Sequence, residues 1–142
     1  LACNAVPGFG GVVLTDTVDD HRVLYPHIFV LSQKSGIEFA LTREGSELAL
    51  WSGAPGSIEI PSKAELLAHT HPYDEGRHPQ TLPSRADINT LNARWARRPD
   101  LPRPRSDIVW GTAPDHVTTF HATGLDSISD PTKGGLKPRR LR

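Results

Sequence analysis

The sequence predicts an α+β fold, a mixed central β-sheet flanked by helices. Three observations carry that reading. Helical spacing and strand-like runs interleave along the chain, Gly and Pro punctuate the boundaries between them, and an apolar run at 65–72 is followed by a strong helix start at 84. At 142 residues, 37% hydrophobic and 23% charged, the chain is long enough for one domain with a real core and too short for two.

The elements follow in order. Residues 1–15 are small and Gly-rich and read as a flexible lead-in; Gly8, Gly10 and Gly11 around Phe9 resemble half a phosphate loop but lack the lysine such a loop needs. The acidic row from Asp16 offers helix caps, and Val23, Leu24, Ile28 and Leu31 fall at helical spacing, interrupted by Pro26. Two short helices are expected there, the second from Pro26 to a stop at Gly36. Strands are expected at 37–41 and 47–51 around a turn at 44–46, and a third at 57–60. The run 65–72 reads as a buried strand ended by Pro72, and 72–83 as a loop. A helix opens at 84–87 and turns Ile88, Leu91, Ala93 and Trp95 toward a core, stopping before the prolines of 99–104. Strands at 106–112 and 116–123 close the domain, so that 16–123 is the folded unit and 124–142 a basic tail.

Charge excludes some partners. Sixteen basic and sixteen acidic groups cancel, so no global field draws the protein to nucleic acid or to an anionic membrane. The balance is uneven along the chain: 1–71 carries four basic and eight acidic groups, 72–142 twelve and eight. The arginines at 94, 97, 98, 103 and 105 read as a solvated helix face or as a docking surface for an acidic partner. The apolar runs at 28–31 and 48–51 fall far short of the roughly 20 residues that span a bilayer. With Cys3 alone there is neither an internal disulfide nor a Cys-rich zinc knuckle. No Met is present and no signal-peptide pattern opens the chain, which reads as a piece of something longer.

The chemistry concentrates at His69 and His71. On a strand, residues i and i+2 project from one face, whereas on a helix they diverge by about 200°. Two imidazoles on one strand face can bind one metal ion, and Pro72 then turns the chain away at the strand end, where sites in α/β sheets collect. Ser84 and Asp87 read in two ways. They make a helix N-cap and its capping-box acid, or Asp87 completes a His-His-Asp ligand set with one open position, as in a catalytic zinc site.

Ala-His-Thr-His-Pro followed by Pro-Ser-Arg-Ala-Asp resembles the H-x-H-P…S-x-x-D signature of the JAMM/MPN metalloproteases and their bacterial RadC-like relatives. The resemblance implies a JAB/MPN-like fold, a deaminase-like three-layer arrangement, with a bound Zn²⁺. It implies His69, His71 and Asp87 as zinc ligands, Ser84 beside the reacting carbonyl, and a glutamate on an earlier strand as proton shuttle. Glu38, among apolar neighbours, is the candidate for that glutamate, with Glu59 as substitute. The expected activity is that of a zinc-dependent peptidase or isopeptidase acting on a peptide or protein substrate. The interval between His71 and Asp87 is several residues longer than the family usually shows, and Asp74, Glu75 and His78 within it are further potential ligands.

Some bacterial members of this family are toxin modules at the C-terminal ends of large secreted proteins. The missing Met and the basic end fit such a module, delivered as part of a larger protein and acting in a cytoplasm, for which an immunity protein is the expected partner. Two other readings stand beside it: a metal-free MPN-like binding module, and a PHP-type phosphoesterase, for which the 71 residues after His71 supply too few ligand strands. A zinc nucleobase deaminase is excluded by the lack of a Cys-x-x-Cys. His21, His27, His116 and His121 read as structural or surface residues, and Trp51, Trp95 and Trp110 as core.

Overall fold

The structure is a computed structural model and describes residues 3–6, 11–14, 20–53, 60–61, 63–72, 80–122 and 124–128. Asp20 caps a 3₁₀ turn, His21–Leu24, by accepting the Arg22 N–H, and the chain runs straight into helix α1, Tyr25–Ser35. Pro26 sits in the first turn of α1, where its missing N–H costs nothing. The helix stops at Gly36, whose φ of 70° is the left-handed conformation a C-terminal cap requires. Strands β3 (Phe39–Glu44) and β4 (Glu47–Ser52) form a hairpin about Gly45, also at positive φ. Strand β5 is Glu65–Thr70, helix α2 Arg85–Arg97, and strands β6 and β7 are Arg105–Val109 and Val117–His121.

Three further strands correct the expected ends of the domain. The lead-in contains β1 (Cys3–Val6) and β2 (Gly11–Leu14), an antiparallel pair that extends the sheet through β2 on β4. The β-branched pair Val12 and Val13 favours strand more strongly than the glycines before it favour looseness. At the other end Gly124–Ile128 forms β8 on β7, so the sheet begins where a tail is expected. The rest of that tail, 129–142, and residues 57–59 of the expected third strand lie outside the described residues, and Ile60 is in no strand. Among the described residues, no helix is long and apolar enough to cross a membrane.

Among the described residues, eight strands make one mixed sheet in the order β1-β2-β4-β3-β5-β6-β7-β8. Every pairing is antiparallel except β5 with β6, the two strands that α2 connects. Alternation along each strand sends side chains to two cores. Leu41, Leu50 and Val109 pack with Ile28 and Phe29 of α1, while their neighbours Ala40, Ala49 and Ile108 pack with Leu91 of α2. Two helices therefore cover opposite faces of the sheet. Trp51 and Trp110 are buried on the α2 face and anchored by indole N–H bonds to Thr42 and Thr118; Trp95 is half-buried against the same cluster. Ala93, expected in the core, is exposed, because the buried stripe of α2 runs through Ile88, Leu91 and Trp95 at i, i+3 and i+7.

Candidate metal centre

Three elements deliver the site. His69 lies on β5 and His71 one residue past its end, where the His71 N–H prolongs the ladder by donating to the Val109 carbonyl. Both imidazoles point to the α2 face only because β5 carries a bulge. Leu41 pairs with Ala68 and Thr42 with Leu66, leaving Leu67 as the extra residue. Without it, Leu66 and His69, three residues apart, would face opposite sides; with it both face α2, and the histidines meet the helix start. Asp87 stands in the first turn of α2, and Glu38 immediately precedes β3, its carbonyl held by the Gly53 N–H at 2.9 Å.

Four side chains converge. The Nε2 atoms of His69 and His71 are 3.0 Å apart, Asp87 Oδ1 is 3.2 Å from His69 Nε2, and Asp87 Oδ2 is 3.4 Å from His71 Nε2. Glu38 Oε1 lies 3.8 Å from His71 Nε2, and Glu38, His69 and His71 each offer an atom within 4.8 Å of the others, a set that could hold a metal ion. Ligands about 2.0–2.1 Å from a tetrahedral ion stand roughly 3.3 Å from one another. The spacings among His69, His71 and Asp87 bracket that value, so the donor set fits such an ion. His69 and His71 are buried at 3% and 7% exposure, and Glu38 at 9%.

The surroundings fix the orientation of each group. The Nδ1–H of His71 donates to the Gln80 carbonyl at 3.1 Å, which leaves Nε2 as the lone-pair nitrogen facing His69 and Asp87. The His69 ring is held by packing, edge-on to Phe120; its buried Nδ1 has no hydrogen-bond partner among the described residues. Ser84 and Asp87 form the capping box that their spacing predicts, and Asp87 also stands beside the histidines. Ser84 Oγ accepts the Asp87 N–H, the Ser84 N–H donates to Asp87 Oδ2 at 2.8 Å, and this capping box aims the carboxylate at the histidines. Burial pushes the Glu38 carboxyl above its ordinary range against the pull of His69 and His71. At Asp87 burial pushes the same way, but the adjacent His69 and His71 side chains, with the Ser84 N–H, outweigh it and hold that carboxyl below the usual carboxylate range.

One supporting element is not apparent from the motif. Thr70, between the two histidines, points to the opposite face, where its hydroxyl donates to Ser32 Oγ at 2.6 Å and accepts the Phe39 N–H at 2.9 Å. Ser32 in turn donates to the Ile37 carbonyl at 2.6 Å. This buried network ties α1 and both neighbours of Glu38 to the strand that carries the histidines. Strand alternation at His-Thr-His gives the direction of Thr70; its partners lie more than thirty residues away in sequence and have no local signature.

Glu44 and Glu47 are exposed at the β3–β4 turn, as expected of solvated residues. Glu59, Asp74, Glu75 and His78 lie outside the described residues. His116 stacks on Trp110 at 4.7 Å and accepts the Ala113 N–H, a structural role. Comparison with protein-family models, with curated proteins and with solved structures finds no match to this chain.

Proposed function

We propose that this chain is a zinc-dependent hydrolase of the JAMM type that cleaves a peptide or isopeptide amide. One observation carries the reading: Asp87 and Glu38, from two different elements, converge on two buried imidazole nitrogens 3.0 Å apart. The H-x-H-P…P-S-x-x-D pattern supports the choice of family and of a JAB-like fold. His69, His71 and Asp87 are the three ligands, and the zinc they hold supplies Lewis acidity toward a carbonyl and toward water.

The division of labour among the side chains follows from position. His71 is oriented by Gln80 and Asp87 by the Ser84 cap, so neither needs to reorganise when a cation binds. Glu38 is the farthest of the four from the histidine nitrogens at 3.8 Å, and it serves as the base, taking a proton from the attacking water and returning it to the leaving amine. The Ser84 hydroxyl already accepts the Asp87 N–H; its own hydrogen is left to donate to the developing oxyanion.

Elemental analysis of the purified chain tests the centre: about one zinc per chain, lost in His69→Ala/His71→Ala. Glu38→Gln tests the reaction, and keeps the metal while losing hydrolysis of peptide and isopeptide substrates. A zinc-loaded chain that cleaves phosphate esters and no amide would refute the peptidase reading; a chain that takes up no zinc would leave the binding-module reading.

A further inference from the structure

A cavity lies across the sheet from the metal centre. Along β6, Ile108 faces α2 on the side of the histidines, while its neighbours Asp107 and Val109 face α1. On that second face about 550 Å³ opens between the 3₁₀ turn and the start of α1, strands β6 and β7, and the loop 111–115. Val23, Pro26, Val109, Pro114 and Val117 make its walls apolar, and Asp107 is the part-buried carboxylate among them.

Asp107 is held in place but not neutralised. Its Oδ1 accepts the Thr119 hydroxyl and its Oδ2 the Tyr25 hydroxyl, both at 2.7 Å. Burial and the Asp107 charge push the Tyr25 phenol well above its ordinary range, so that proton stays on Tyr25. Among the described residues Asp107 has no ion-pair partner. Arg22, the cation lining the cavity, is bound to Asp20 at 3.0 Å. His21, which feels the Asp107 charge, is held below its ordinary value by burial and by Arg43 and stays neutral at pH 7.

We propose that this cavity binds a small organic cation, a guanidinium carried on an apolar stem, with its head on Asp107 and its stem along the Val and Pro walls. Each Asp107 oxygen spends one lone pair on a hydroxyl and can accept one more hydrogen bond. A planar guanidinium donates two parallel N–H groups to the two oxygens of one carboxylate. Asp115, exposed and 3.9 Å from His116, adds a second negative charge to the lining. The volume is that of a ligand pocket, with apolar walls and a few polar groups that set orientation.

Other ligand classes fit less well. An anion meets two carboxylates, and a neutral apolar molecule strips water from Asp107 without replacing its hydrogen bonds. A bare Mg²⁺ or Ca²⁺ needs about six or more oxygen ligands, which walls of Val and Pro do not supply.

The test is a nuclear magnetic resonance titration of the full chain with benzylguanidinium, beside N-benzylurea, which has the same shape and no charge. Benzylguanidinium is expected to saturate, to shift the amides of Asp107, Val109, Val117 and Thr119, to weaken as salt is raised, and to bind about tenfold or more tightly than the urea. Asp107→Asn, which keeps the side-chain shape, removes that advantage; should the variant misfold, the comparison of the two ligands on the unaltered chain still decides. Guanidinium heads come from free guanidines and from arginine side chains, and N-acetylarginine methylamide in a parallel titration tells the sources apart by which of the two binds more tightly. The proposal is overturned if neither cation saturates, if N-benzylurea binds as tightly, if the shifts gather at His69 and Asp87 instead, or if folded Asp107→Asn binds benzylguanidinium as well as the parent chain does.

Discussion

Thr70→Val removes one hydroxyl and keeps the side-chain shape, which makes it the sharpest probe of how the fold holds the site. In the native structure the Thr70 oxygen accepts the Phe39 N–H and its hydrogen goes to Ser32 Oγ. Valine leaves a part-buried backbone donor without its acceptor, at about 1–3 kcal/mol, and forfeits the Thr70–Ser32 bond, worth about 1 kcal/mol. The methyl group that replaces the hydroxyl recovers part of this by apolar burial, so a loss of about 2–3 kcal/mol is expected. With a urea slope of about 1.5 kcal/mol per molar, the unfolding midpoint falls by roughly 1.3–2 M. Circular dichroism in urea reads the change, with Thr70→Ser as the control that keeps the hydroxyl and stays within about 1 kcal/mol of the parent. Equal midpoints for Thr70→Val and the parent chain, or equal losses for the Val and Ser variants, would refute the network as the tie between α1, β3 and β5.

Leu91→Ala opens a cavity under α2, where Leu91 is 1% exposed among Trp51, Ile108 and Phe120, and costs about 2–5 kcal/mol by urea unfolding. Gly111→Ala has no room, since a Cβ there would fall 2.0 Å from His116 Nδ1; the stacked His116–Trp110 pair must shift, visible as a changed near-ultraviolet dichroism of the tryptophans. Gly36→Ala meets nothing within 4 Å but takes a left-handed φ, so it costs about 1 kcal/mol with no change at the site. The Asp20 carboxyl, hydrogen-bonded by the Arg22 side chain and backbone, is held at about 2; its folded pKa is depressed, so its cap is complete above the ordinary carboxylate range and is lost as pH falls through about 2. A carboxyl titration by nuclear magnetic resonance should show that midpoint, moving back toward 3.8 in Arg22→Ala.

What the sequence reveals of this molecule depends on how local the cause is. The Gly36 stop, the Gly45 turn and the Ser84–Asp87 capping box are each set by residues within a few positions, and each is read correctly from spacing. The meeting of His69, His71, Asp87 and Glu38 is nonlocal, and three of the four stand in the H-x-H-P…P-S-x-x-D pattern that drew attention to them. The bulge at Leu67 is not, since nothing in Glu-Leu-Leu-Ala marks which residue will be the unpaired one. Nor is the pairing of β1, β2 and β8, whose glycines and small residues suggest looseness until a neighbouring strand supplies the ladder.

The bracing of β5 and α2 by separate parts of the core has a consequence for how this chain tolerates change. β5 is clamped between β3 and β6, and α2 is seated by Leu91 and its own capping box, while Gln80 in the chain that joins them orients His71. Closing a flexible connection costs only about 0.6 kcal/mol more for each doubling of its length. A change of length between Pro72 and Gln80 therefore costs the strand and the helix little, provided that Gln80 still reaches His71 and Ser84 still caps α2. New side chains can be tried out in that stretch while His69, His71 and Asp87 stay where they are.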